Sequence, residues 1–186
     1  MAQPSQTFTD EALNAVRGFV ALVTGKRDAA AFFDFSPKGL VGSLIAVLVA
    51  VLLAGFGPML IGAPVPAGAP TQSIIVNGVL FAAQAAMAWI VLRQMGRQDG
   101  FVPYLVASNW VTLASGLLLL VSTLFGEVGI VLLLAIVVIA LLTFINIGRF
   151  IVTLSPVQIG LLFVSQTVGV FLALGVVALV LPAPPM

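Results

Sequence analysis

The chain contains no cysteine and no histidine. Disulfides, thiolate zinc sites, iron–sulfur ligation and histidine-bound haem are therefore excluded. The commonest general base of enzyme catalysis is missing too. Charge is scarce: Asp, Glu, Lys and Arg make up 7% of the 186 residues, against about a quarter in a soluble domain. A net charge of +1 gives no electrostatic basis for binding nucleic acid. There is no serine elbow, phosphate loop, dinucleotide fingerprint or paired carboxylate. No acid or base falls in the middle of an apolar run, where proton-coupled transporters ordinarily carry one. The expectation is a protein that is not an enzyme, without cofactor and without metal.

What the chain has is apolar length. It is 61% hydrophobic, with a mean hydropathy of +1.26. Its apolar runs are continuous and exceed the roughly 18 residues that mark a membrane helix. An outer-membrane barrel would show short segments of alternating polarity instead. The predicted fold is an all-α membrane protein, a five-helix transmembrane bundle preceded by an N-terminal interfacial amphipathic helix. Residues 1–36 form the N-terminal segment, 37–182 the bundle, and 183–186 a short outside tail. The spans fall at about 39–61, 72–95, 101–125, 128–153 and 156–181.

Local signals support these bounds. Residues 1–6 are polar and precede Asp10 and Glu11, unlike a cleavable signal peptide. Thr7 and Thr9 read as helix caps, with the two acids on the positive end of the dipole. Leu13, Val16, Val20 and Val23 then recur at helical spacing, while Asp10, Asn14, Arg17 and Thr24 fall mostly on other faces. That pattern fits a helix in the membrane interface or one packed on the end of the bundle. Phe32, Phe33 and Phe35 can anchor among headgroups. Ser36-Pro37 and Ser155-Pro156 are cap and first-position proline pairs, and Pro58 is placed to kink or end the first span.

Orientation follows from counting. With five crossings, all seven basic residues share one side: Arg17, Lys26, Arg27, Lys38, Arg93, Arg97 and Arg149. The opposite side has Glu127 as its only charge. The positive-inside rule places the N-terminus in the cytoplasm and the C-terminus in the periplasm of a bacterial inner membrane. Trp89, Phe101 and Tyr104 lie where an aromatic belt belongs. The basic residues Lys26, Arg27, Lys38, Arg93, Arg97 and Arg149 are candidate lipid head-group contacts.

Close packing in lipid depends on small residues. Four spans carry them at intervals of four: Gly42, Ala46, Ala50 and Ala54; Gly78, Ala82 and Ala86; Ser108, Thr112 and Gly116; Ser165, Gly169 and Ala173. The fourth span is almost all Ile, Leu and Val, which suits lipid or a partner protein. Six polar residues within the spans are candidate interhelical or pathway residues: Asn77, Gln84, Asn109, Thr112, Asn146 and Gln166. Either they bond between helices, or they line a route for a solute.

The stretch Asp34-Phe35-Ser36-Pro37-Lys38-Gly39 and the residues from Phe101 to Trp110, in this layout, resemble bacterial Yip-domain membrane proteins. The resemblance covers about residues 30–182. The acidic-aromatic-proline signature of eukaryotic members is not evident, so their trafficking role is not implied. The resemblance does imply a non-enzymatic protein that associates with membrane lipids and other integral membrane proteins. The expected function is a scaffold or accessory subunit of a larger membrane complex, meeting partners through the fourth span and the N-terminal helix. A transporter or channel for a small or lipidic solute, lined by the Asn and Gln residues, is the alternative.

Overall fold

Thr7 opens the first helix. In a capping box, Asp10 N–H donates to the Thr7 hydroxyl at 3.2 Å and Thr7 N–H donates back to the Asp10 carboxylate at 3.0 Å. Helix α1 spans Phe8–Val23 and ends at Gly25, whose φ of +70° no branched residue would adopt easily. A computed structural model of the chain describes residues 7–126 and 128–180. The expectations for residues 1–6, for Glu127 and for 181–186 lie outside the described residues.

After a 3₁₀ turn at Ala29–Phe32 come five helices that are long and apolar enough to cross a membrane. They are α2 (Pro37–Leu60), α3 (Ala69–Gln94), α4 (Phe101–Ser122), α5 (Val128–Asn146) and α6 (Pro156–Val180). Among the described residues there is no strand. The start of α2 is fixed by its sequence: Gly39 N–H donates to the Ser36 cap hydroxyl, and Ser36 N–H donates to Asp34. A methyl on Gly39 would collide with the Asp34 carbonyl, so glycine is required at this turn. Pro58 sits in the last turn of α2, which stops two residues later at Leu60. The fourth apolar run is not one uniform helix. Its α-helical part ends at Asn146, and Ile147–Ile151 form a π turn closed by Val152 N–H on the Ile147 carbonyl at 3.0 Å.

The spans pack unequally. In the most apolar stretch of α2 39% of residues are buried, and in that of α4 33%; for α3 and α6 the figure is 11%, and for α5 6%. Helices α2 and α4 therefore form the centre. Helix α3 leans on α2 and carries α6, whereas α5 leans on α4 and α1. Helices α3 and α4 meet little, and α5 and α6 scarcely touch although they are consecutive. The bundle is splayed into two leaves that share α2.

The small-residue stripes meet this geometry unevenly. Gly42, Ala46 and Ala50 are buried, and so are Gly169 and Ala173, with Gly169 set against Met87 of α3. Gly78 and Gly116 face open space, while Ala82 and Ala86 are exposed. Those stripes mark where a neighbour could approach, and within this chain none does. The aromatic anchors differ too. Phe33 is buried against Gly18, Phe32 and Phe35 pack on the core, and Tyr104 is buried. They hold α1 and its following turn to the bundle rather than reaching outward.

One side chain ties the leaves together at the end that carries the basic residues. Arg97, in the α3–α4 connection, donates to the Thr153 carbonyl at 2.9 Å, to the Thr153 hydroxyl at 2.8 Å and to the Val152 carbonyl. Thr153 has a φ of +58°, a strained setting for a β-branched residue. Arg97 also pairs with the exposed Asp99 at 3.5 Å. Hydrogen bonds to a charged group are worth about 1.5–3 kcal/mol, and an exposed ion pair less than about 1 kcal/mol. Arg97→Ala should therefore lower the melting temperature in detergent clearly, and Asp99→Ala barely. Equal effects would contradict the clamp.

Candidate functional site

The polar residues of the spans fall into two groups. The first is spent on holding helices together. Asn109 is 2% exposed and donates to the Ser43 hydroxyl at 3.1 Å, across the α2–α4 contact. Asn146 donates to the Leu22 carbonyl at 2.7 Å, joining the Gly25 N–H on that acceptor in the last turn of α1 and fastening α1 to α5. Gln166 donates to the Gln84 carbonyl at 3.0 Å, joining α6 to α3. Each such bond contributes on the order of 1 kcal/mol in a membrane. Sequence reasoning named these three residues but not Ser43, which serves Asn109.

The second group lines a hollow. Asn77 and Gln84 of α3 and Thr112 and Ser115 of α4 face a space of about 290 Å³, closed on one side by Ala50 and Ala54 of α2 and reaching Ile136 of α5. A second space of about 260 Å³ lies beside it, lined by Tyr104, Ser108 and Thr143 and sharing Gln84, Thr112 and Ser115. The two follow from the splay, since α3 and α4 diverge past their connection. Within the hollow, Asn77 donates back to the Ser73 carbonyl at 2.9 Å, and Thr112 donates to Ser108 at 2.8 Å. The Ser115 hydroxyl is buried without a partner among the described residues. The Gln84 side chain is exposed, near the middle of the 26-residue α3, and makes no hydrogen bond among the described residues. A primary amide facing hydrocarbon without a partner costs several kcal/mol.

The basic candidates also separate. Lys26, Arg27 and Arg93 are exposed at the common end. Arg97 is committed to the clamp. Lys38 stands in the first turn of α2, close enough to Glu11 to stabilise its charge. Arg149 lies in the π turn with its guanidinium 5.2 Å from the Phe150 ring centre.

Glu11 is the residue that sequence reasoning assigned too simply. It was expected to serve the helix dipole, yet it is 8% exposed and turned into the bundle. Its carboxylate rests on Gly42, where a methyl would lie 2.5 Å from both oxygens. The Trp110 indole N–H is directed at it, and one oxygen lacks a partner among the described residues. Burial, then the charge of Asp34, push its pKa above the ordinary 4.5; Trp110 and Lys38 partly offset the rise. The only clue in the sequence was a glycine four residues after Lys38 in place of the alanine that continues the stripe.

Comparison with protein-family models, with curated proteins and with solved structures finds no match for this chain.

The folded protein holds a proton on Glu11 more readily than the unfolded chain does. Stability is therefore lost as pH rises from 4.5 through the raised pKa. Glu11→Gln, which imitates the protonated acid, should melt higher than the wild type at neutral pH. The gap should close on acidification toward 4.5. Parallel melting curves for the two proteins across pH would show that the carboxylate is solvated.

Proposed function

We propose that this is a non-enzymatic protein of a bacterial inner membrane, a scaffold or accessory subunit that receives a helix of another integral membrane protein in the cleft between α3 and α5. The observation that carries this reading is Gln84, an unpaired amide at mid-helix on an open face. Hydrocarbon cannot satisfy it, and a partner helix with a donor or acceptor can. The bare backbone at Gly116, in the lining of the cleft, supports a close approach there. Helix α5, the least buried span, forms one wall of the cleft, which supports a role for it in association.

Helix α1 acts as an interfacial helix in this proposal. Glu11, Ala15, Gly18 and Leu22 face the bundle, Leu13, Val16 and Val20 are exposed on an apolar side, and Asp10 and Arg17 are exposed on a polar one. Three faces of that kind suit bundle, lipid and water. The basic residues at the shared end support a cytoplasmic N-terminus. The resemblance to bacterial Yip-domain proteins agrees with an associating rather than catalytic role.

A second reading has its own support. The two hollows share Gln84, Thr112 and Ser115, forming a polar file from Asn77 toward Tyr104 along which a small solute could pass. Gln84→Leu separates the readings. Under the scaffold reading, the isolated variant gains stability, about 1–3 kcal/mol, by losing an unpaired amide, and a stoichiometric partner seen in mild detergent is lost. A wild-type protein that purifies alone but conducts solute into liposomes, with flux abolished by Gln84→Leu, overturns the scaffold reading in favour of transport.

A further inference from the structure

A larger opening lies between α5 and α6. Helix α6 packs on α3 and α5 packs on α4 and α1, so the two consecutive helices part directly after their connection. Phe144 and Phe163 touch edge-to-face at 5.6 Å and form the floor of the gap. The rest is empty. A space of about 760 Å³ is walled by Leu141, Phe144 and Ile145 of α5 and by Ile159, Gly160 and Phe163 of α6. A methyl on Gly160 would meet nothing within 4 Å.

Arg149 contributes the one charged group to this lining. It is exposed and, among the described residues, makes neither a hydrogen bond nor an ion pair. Its placement is fixed by the π turn below it and by the Arg97 clamp on Val152 and Thr153. The combination has a chemical meaning. An apolar slot of this size takes a hydrocarbon chain, and an unpaired guanidinium at its basic end takes an anionic oxygen, for which Arg is well shaped.

We propose that the α5–α6 crevice is a binding site for one anionic phospholipid, with the phosphate on Arg149 and an acyl chain between α5 and α6. Phe144 lines both this crevice and the smaller hollow beside the partner cleft, whereas Arg149 and Gly160 line the crevice and neither hollow. The site's two halves predict two separable effects. Losing the cation removes the preference for an anionic headgroup and leaves a greasy slot. Filling the slot removes the lipid whatever its headgroup.

The test is native mass spectrometry of the full chain released from nanodiscs containing equal phosphatidylglycerol and phosphatidylcholine. The wild type should retain one phosphatidylglycerol in preference to phosphatidylcholine. Arg149→Gln should lower that preference about fivefold, the effect of one basic group at a membrane surface. Gly160→Leu should lower retention of both lipids without loss of thermal stability, since its side chain enters open space. Arg93→Gln, an exposed cation at the same end, should change neither. Soluble glycerol phosphate should fail to displace the lipid, because the chain holds it. Equal retention in all four proteins, or a loss in Arg93→Gln as large as in Arg149→Gln, would overturn the site and leave only general attraction of anionic lipid to a basic surface.

Discussion

Helices in a bilayer gain nothing by hiding apolar side chains from one another, because lipid tails are just as apolar. They are held by close backbone approach and by polar bonds between spans. In this chain the two coincide most extensively where α2 meets α4. Gly42, Ala46 and Ala50 let the helices close, and the Asn109–Ser43 hydrogen bond pins them with both residues buried. Both partners are buried, so the bond also restrains the rotation of α4. With α4 turned this way, Thr112 and Ser115 must look toward α3.

The rest of the architecture follows from how few bonds remain. Helix α6 is held to α3 by Gln166 and by the approach of Gly169 to Met87, and α5 to α1 by Asn146. Beyond their connections, α3 and α4 share no such bond among the described residues, and α5 and α6 meet through the edge-to-face pair Phe144–Phe163. The result is two openings of differing chemistry, one with amides and hydroxyls set among apolar walls, the other of aliphatic and aromatic carbon with a single guanidinium. Arg97 binds the ends of both leaves, so the openings are built features of a braced frame rather than gaps between loosely associated rods.

Much of this was readable in the sequence, for physical reasons. Continuous apolar length dictates helices, and proline and glycine dictate their ends, so the five spans were placed closely. The tail of the fourth run was not foreseen, since nothing in Ile147–Ile151 announces a π turn. The stripe in α2 is buried at Gly42, Ala46 and Ala50, as a packing face should be, and exposed at Ala54. The equivalent stripes in α3 and α4 were read as packing faces, yet Gly78 and Gly116 look into space. Spacing shows that a face is smooth and cannot show what lies against it. Glu11 was concealed by its position, since an acid in a first helical turn is ordinarily a dipole partner. Arg97 was concealed by its type, since a basic residue at a membrane end is ordinarily a topology signal.

The account's centre is that hydrocarbon is not the natural neighbour of Gln84. A photo-activatable residue placed at position 84 in the intact membrane reports that neighbour directly, with position 137 on the outer face of α5 as the reference. The account predicts a discrete covalent adduct with another integral membrane protein from position 84 and lipid adducts from position 137. Lipid adducts from both positions would contradict it.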